Sequence, residues 1–232
     1  MFLSNKKNPL ELNIKINNEP LKKCDSYKYL GVMFDCNLTW KPHVDNLCGK
    51  ISKACGALSK IRHCVNIETL TNVYYALVHS YLRYGITAWG NAAENVLKPL
   101  HALLNRVVRI MTFAPFGINT KPILEFLEIL SISQIFSLET GKFVFKSRNS
   151  ILPISTIANH FERTNANHNY NLRNRTNQYV TPLELLSSFK KKSLHIRGAH
   201  LWNNVPESIK SSDSFSIFLK CFKSFLQLEQ NE

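Results

Sequence analysis

Hydrophobic positions near the start of the chain alternate with polar ones. Leu12, Ile14 and Ile16 are separated by single polar residues, which is the two-residue period of a half-buried strand. Turn-forming residues occupy 17–20, and a second apolar run extends over 27–34. These patterns predict a β-hairpin or a small sheet edge within residues 10–35.

Beyond residue 39 the hydrophobic period becomes that of amphipathic helices, with three successive apolar stripes. The first stripe comprises Trp40, Val44, Leu47, Cys48, Ile51, Cys55, Leu58 and Ile61. The second comprises Leu70, Val73, Tyr74, Leu77, Val78 and Tyr81, and the third Leu97, Leu100, Leu104, Val107, Val108 and Met111. Thr39 is the expected N-cap of the first helix, and Gly85 suits the end of the second. Three such helices with short links predict a bundle.

Further helical patterns follow at 122–127, at 133–146 and at 214–228, where Ser214 is the expected cap. The last helix has an apolar face with no partner close by in the sequence, so it is expected to dock on the bundle or on another domain. Residues 158–180 contain seven asparagines and little periodicity, which predicts a long loop or linker.

The predicted fold is therefore mainly α, in four segments. A β-hairpin occupies 1–36, a three-helix bundle 37–113, additional helices 114–150, and an irregular basic linker with a C-terminal helix 151–232.

The net charge of the chain indicates which class of partner to expect. The 29 Lys and Arg residues against 16 Asp and Glu give a formal net charge of +13. Such a surface favours a polyanion, nucleic acid above all, because basic side chains release counterions from phosphates. The alternative is a basic surface without a partner. No stretch approaches the roughly 20 apolar residues of a membrane helix, and the N-terminal apolar run is too short for a signal peptide, so we expect an intracellular protein, nuclear or cytoplasmic, without a membrane partner.

The residues carry no recognisable catalytic motif. The six cysteines have irregular spacing without a CxxC pair, which favours reduced thiols over disulfides or zinc. Two-metal polymerase chemistry needs neighbouring carboxylates. The four aspartates (25, 35, 45 and 213) include no adjacent pair, and Asp35 follows an aromatic residue without the second aspartate of a polymerase signature. We expect no cofactor and no catalysis in this chain alone.

Basic residues in helices and in the linker are the candidate phosphate contacts. They are Lys50, Lys53 and Lys60 on the first helix, Arg106 and Arg109 on the third, and Arg173, Arg175, Lys190 and Lys191 in the linker. Each has an alternative interpretation as part of a solvated helix face or an exposed linker.

Several short strings resemble, in their order, the region after the palm in reverse transcriptases of jockey-like non-LTR retrotransposons. They are YKYLGV (27–32), LTWKPHV (38–44), KISK (50–53), YALV (75–78), YGITAWG (84–90), YNLRNR (170–175) and LWNNVP (201–206). Each string is weak alone, but their common order extends over nearly the whole chain.

The resemblance implies that segment 1–36 is a remnant of the palm with its primer grip and that 37–113 is the thumb. Tyr29, Leu30 and Gly31 would then lie near a primer terminus, and the partners would be RNA, DNA or an RNA–DNA hybrid. The palm, the fingers and the catalytic Mg²⁺ of the parent polymerase would lie outside this chain, which would be a truncated copy able only to bind template and primer. The alternatives are a host-captured module that binds nucleic acid or protein, and an element remnant without a function.

Overall fold

The computed structural model describes residues 14–20, 24–149, 151–152, 179 and 192–228. The predicted mainly α fold, with β structure at the N-terminal side and a helix at the C-terminal end, is confirmed. Among the described residues no helix combines the length and the hydrophobicity needed to cross a membrane. Contacts divide these residues into two compact units: unit 1 holds 14–85 and 92–123 within the described ranges, and unit 2 holds 86–91 and the described residues from 124 onward.

Two small antiparallel hairpins stand where the pattern predicted one. Strands β1 (Lys15–Ile16) and β2 (Glu19–Pro20) form the first, and β3 (Ser26–Tyr29) and β4 (Val32–Asp35) form the second. Each hairpin reverses direction at two consecutive residues with positive φ, Asn17–Asn18 in the first and Leu30–Gly31 in the second, which is the geometry of a tight two-residue hairpin turn.

Helix α1 (Lys41–Ile61) begins differently from the prediction. Its N-cap is Trp40, with φ +66°, and not Thr39. Both carboxylate oxygens of Asp35 accept hydrogen bonds here: Oδ2 from the Thr39 backbone N–H and hydroxyl, and Oδ1 from the Trp40 backbone N–H, each at 2.9 Å. Burial raises the pKa of Asp35, but these hydrogen bonds outweigh it and hold the pKa below its usual value. Asp35 is therefore a structural residue that fixes the turn from hairpin to helix.

The core of unit 1 is built on α1 and on α5 (Glu94–Thr112). The predicted stripe of α5 is confirmed in full, since all six of its residues are buried. On α1 the central stripe is buried, while Trp40, Cys48 and Ile61 at its edges are half-buried. Arg62, at the end of α1, lies over the ring of Phe113, at the end of α5. Arg106 of α5 lies close to Cys55 of α1. The two helices therefore run parallel, with their C-terminal ends together.

A π-helical turn changes the face that the second predicted helix buries. Helix α2 (Ile67–Tyr74) continues through this turn at Tyr75–His79 into α3 (Ser80–Arg83). The wider turn shifts the phase of everything after it, so the buried residues are Leu70, Tyr74, Val78 and Leu82. Leu77 and Tyr81, predicted on the apolar face, are instead exposed.

In unit 2, α4 (Ile86–Trp89) packs on α7 (Ile132–Arg148). The short α6 (Lys121–Phe126), which precedes α7 in the chain, has residues in both units. Ser131 and Gln134 form a reciprocal capping box at the start of α7. Helices α8 (Leu194–Asn204) and α9 (Glu207–Lys210), which the pattern did not predict, lead to the last helix.

The last helix, α10 (Phe215–Leu228), docks on α7 within unit 2. Phe218 stacks on Phe145 with ring centroids 4.3 Å apart, and the Gln134 side chain donates a 2.6 Å hydrogen bond to the Leu226 carbonyl. The Ser214 hydroxyl accepts from the Ile217 backbone N–H, as a cap should. The face that lacked a partner in the sequence thus completes the core of unit 2.

Candidate nucleic-acid interface

The tip of the second hairpin is a two-residue turn formed by Leu30 and Gly31. Tyr29 pairs with Val32 across it, and both turn residues have positive φ, +45° and +83°. A non-glycine residue in this region costs about 1 kcal/mol, so Leu30 is held in a strained conformation. Its side chain is 72% exposed, and it projects at the end of the hairpin.

Tyr84 fastens this tip to the helical part of unit 1. Its hydroxyl donates a 2.5 Å hydrogen bond to the Leu30 carbonyl, and its ring lies against Gly31. A Cβ at Gly31 would stand 3.2 Å from Tyr84 Cε1, so the ring would have to shift by a few tenths of an ångström, and the positive φ itself favours glycine. Gly85, with φ +61°, follows Tyr84 at the end of α3. The YLGV and YG strings, 54 residues apart, therefore meet at one contact.

The base of the hairpin rests on α1. The Met33 backbone N–H donates to Nδ1 of His43 at 3.3 Å, and the Phe34 ring contacts Trp40 with centroids 5.3 Å apart. His43 is only 2% exposed. Burial, with a smaller contribution from the positive charge of Lys50, lowers the pKa of His43 from 6.5 to about 4. The imidazole is therefore neutral at physiological pH, with Nδ1 as acceptor.

Acid should weaken unit 1 through this histidine. Since the folded pKa of His43 lies below its unfolded value, the neutral ring stabilises the fold fully above pH 6.5, and this contribution is lost as the pH falls towards 4. The loss reaches about 3 kcal/mol. In His43→Asn, whose amide oxygen can replace Nδ1, we expect a flatter dependence of the unfolding free energy on pH between 7 and 4. Urea titrations across this range measure it, and equal slopes for both proteins would contradict the prediction.

A second aromatic residue extends the surface next to Tyr84. Tyr81 lies one helical turn earlier, and the ammonium of Lys50 on α1 is 4.8 Å from the centre of its ring. Tyr29 is 60% exposed and Tyr84 56% exposed. We call the set Tyr29, Leu30, Gly31, Lys50, Tyr81 and Tyr84 the tyrosine–lysine surface. Four of these residues were predicted; Tyr81 was assigned to the core, and Tyr84 was quoted only as part of a motif.

The remaining predicted basic residues lie on α1 and α5 or outside the described residues. Lys53 and Lys60 are exposed on α1, and Lys60 stands about 15 Å beyond Lys50 along the helix. Arg106 is exposed, whereas Arg109 donates two hydrogen bonds to the Ile118 carbonyl, at 2.8 and 3.2 Å. Arg173, Arg175, Lys190 and Lys191 fall outside the described residues, as does nearly all of the predicted 158–180 linker.

The carboxylates of the described residues offer no cluster for a metal ion. In that part of the chain no group of three or more His, Cys, Asp or Glu side chains has the arrangement that metal binding needs. Asp35, the aspartate that resembled a polymerase signature, is occupied by the hydrogen bonds described above.

Comparison with known proteins gives a consistent set of partial relatives. The chain is 29% identical over 103 residues to the probable RNA-directed DNA polymerase from transposon X-element of Drosophila melanogaster, which covers 43% of this chain and 11% of that protein. It is 25% identical over 113 residues to the RNA-directed DNA polymerase from mobile element jockey of the same species, covering 47% and 12%. It is also 26% identical over 138 residues to the probable polymerase from transposon BS, covering 58% and 15%.

The chain is a partial homologue of jockey-like non-LTR retrotransposon polymerases. The matched segments span only 11% to 15% of the length of these relatives. No protein-family model matches the sequence, and no solved structure matches it.

Two of the strings that resemble the jockey-like family contribute buried residues to the core of unit 2. In YGITAWG, Trp89 is fully buried, and a Cβ at Gly90 would lie 2.8 Å from the Phe136 ring. In LWNNVP, Trp202 is buried, and the Asn203 side chain pairs with the backbone N–H and carbonyl of Tyr179 at 2.9 and 3.0 Å. Residues of these strings therefore contribute to packing, while Tyr29 and Leu30 at the hairpin tip are exposed.

Removing the Tyr84 hydroxyl should loosen the hairpin tip without unfolding the unit. Tyr84→Phe keeps the ring against Gly31 but deletes the donor to the Leu30 carbonyl, a hydrogen bond worth about 1 kcal/mol. We expect faster hydrogen exchange in the hairpin peptide 26–35 and little change in α5. Tyr75→Phe, which alters another exposed tyrosine on the same helical segment, is the control. Unchanged exchange in Tyr84→Phe would show that the contact does not hold the tip.

Proposed function

We propose that this chain holds a template–primer duplex against the tyrosine–lysine surface, in the manner of a polymerase thumb with its primer grip. The observation that carries the proposal is the Tyr84 contact. It brings an exposed, strained hairpin tip next to the Lys50–Tyr81 pair in unit 1.

The chemistry of the surface suits a duplex recognised through its shape and backbone. The hydroxyls of Tyr29 and Tyr81 and the Lys50 ammonium can donate to phosphate and sugar oxygens, and such contacts fix position without reading sequence. An RNA–DNA hybrid presents a wide, shallow minor groove that accepts contacts of this kind. Lys53 and Lys60 continue the positive charge along α1, and the net charge of +13 favours the same polyanion.

The proposal assigns binding and not catalysis to this chain. The homologous proteins are named as RNA-directed DNA polymerases. A polymerase centre needs two metal ions held by nearby carboxylates, and the four aspartates of this sequence include no adjacent pair. We infer that the palm and fingers of a parent polymerase would supply the aspartates and Mg²⁺, with element RNA and target DNA as the nucleic acids.

The test is the salt dependence of hybrid binding in lysine variants. We expect the affinity for a blunt RNA–DNA hybrid to fall steeply between about 50 and 200 mM salt. In the double variant Lys50→Gln, Lys53→Gln, the slope of log affinity against log salt should become shallower by about 2, because each lost phosphate contact removes roughly one unit. Lys220→Gln, an exposed lysine on α10, is the matched control.

Fluorescence anisotropy with a labelled hybrid measures these slopes. A slope unchanged in the double variant, or reduced equally in Lys220→Gln, would remove the tyrosine–lysine surface as the binding site. An affinity that does not respond to salt would remove the phosphate contacts altogether.

A further inference from the structure

The loop that follows α5 presents aromatic residues at the far end of α1 and α5 from the tyrosine–lysine surface. Two sets of hydrogen bonds hold this loop, residues 113–120, in place. Arg109 Nε and Nη2 donate to the Ile118 carbonyl, and the Thr120 hydroxyl donates to Asn105 Oδ1 at 2.8 Å. The loop is therefore tied back to α5 near its end, while its middle projects into solvent.

Two phenylalanines of this loop are exposed beside cations. Phe113 lies 4.6 Å beneath the Arg62 guanidinium and contacts the His63 ring edge-on, with 52% of its surface still exposed. Phe116 is 99% exposed, and the Arg109 guanidinium is 5.9 Å from its ring centre. Both rings therefore present aromatic surface that a ligand can cover. We call Arg62, Arg109, Phe113 and Phe116 the Phe–Arg platform.

The positive charges near the platform indicate which class of ligand it would bind. After Asp45, α1 contains no acidic residue, and after Glu94, α5 contains none. The basic residues in the last two turns of the two helices and at the C-cap of α1 are Lys60, Arg62, Arg106 and Arg109. Exposed aromatic rings among cations match unpaired nucleotides, whose bases stack on the rings while their phosphates meet the cations. A base-paired duplex does not offer its base faces in this way.

We propose that the Phe–Arg platform binds single-stranded RNA or DNA, with a base stacked on Phe116 and phosphates beside Arg62. The proposal takes its class of polymer from the proposed function but uses different residues. Arg62 stands 12 residues after Lys50, about 18 Å along α1. A strand leaving a duplex held at the tyrosine–lysine surface could therefore reach the platform within a few nucleotides.

Three probes test the proposal on the full chain by fluorescence anisotropy. They are oligo(dT) or oligo(U) of about 15 nucleotides, a blunt RNA–DNA hybrid, and the same hybrid with a single-stranded extension. We expect the extension to tighten binding of the unsubstituted protein. Phe116→Ala and Arg62→Ala should each weaken oligo(dT) binding by about 5-fold or more and abolish the gain from the extension. Phe126→Ala, an exposed phenylalanine in unit 2, should change neither.

The outcomes separate this inference from the proposed function. Oligo(dT) binding that depends on Phe116, without affinity for the blunt hybrid, would support the platform and overturn the duplex proposal. Equal loss of blunt-hybrid and oligo(dT) affinity in Phe116→Ala would overturn the single-strand assignment, as would oligo(dT) binding that Phe116→Ala leaves unchanged. Absence of oligo(dT) binding at low salt would also overturn it and would leave a protein as the partner of the loop. Because Phe116 is fully exposed, its removal should leave the fold intact, and circular dichroism checks this.

Discussion

Trp202→Ala should destabilise unit 2 by about 3–5 kcal/mol. The indole is 1% exposed and lies among Phe145, Tyr179 and Phe218, with ring centroids 5.9 to 6.5 Å away. Arg148 covers the ring at 5.8 Å. Truncation to alanine leaves a cavity where helices α7, α8 and α10 meet, and small domains have only about 5–15 kcal/mol of stability in total.

The effect should be local to unit 2 and graded with side-chain volume. Hydrogen exchange measured by mass spectrometry should show lost protection in α7, α8 and α10, with α1 and α5 retaining theirs. Trp202→Phe is the matched control: among the described residues the indole N–H has no hydrogen-bond partner, so phenylalanine loses volume but no hydrogen bond. A loss as large in Trp202→Phe as in Trp202→Ala would show that packing volume is not the cause.

Gly141→Ala should also destabilise unit 2, by about 1–3 kcal/mol, although alanine is ordinarily the better helix former. Gly141 lies inside α7, where a Cβ would stand 2.8 Å from Cζ of Phe222 and nearer still to Cε1. The Phe222 ring is fully buried and stacks on Phe218, so it cannot move aside without disturbing the α7–α10 contact.

Gly56 provides a control position, at which the same substitution should raise the free energy of unfolding. It is exposed within α1, and a Cβ there would meet nothing within 4 Å. Gly56→Ala should therefore stabilise unit 1 by up to about 1 kcal/mol through helix propensity alone. Urea unfolding followed by circular dichroism measures both variants. A stabilising Gly141→Ala would contradict the close α7–α10 packing.

The sequence pattern predicted those elements in which periodicity alone determines burial. The stripe of α5 and the apolar face of α10 have regular helical spacing, so their burial could be anticipated. The buried face of α2–α3 could not be anticipated, because the π-helical turn shifts the helical phase and no residue type indicates such a turn. Helix α8 escaped notice because two of its buried residues, Gly198 and Ala199, are too small to mark an apolar stripe.

The site was only partly predictable for a similar reason. Family strings and basic residues indicate the hairpin tip and Lys50 as candidates, and their role in binding stays a prediction. The contact that joins them depends on a tyrosine hydroxyl and a backbone carbonyl 54 residues apart, and on a phase shift that turns Tyr81 outward. Asp35 is a residue that the sequence pattern made look functional but that has a structural role. Its position resembles that of a catalytic aspartate, but both of its carboxylate oxygens accept hydrogen bonds in the turn before α1.

The central claim is that the tyrosine–lysine surface holds a nucleic-acid duplex. Hydrogen exchange of the full chain, with and without a blunt RNA–DNA hybrid at low salt, tests it most directly. We predict that the hybrid slows exchange in the hairpin peptide 26–35 and in α3, and leaves α10 unchanged. Binding of the hybrid with unaltered exchange in the hairpin and α3, or no binding of the hybrid at low salt, would contradict the claim.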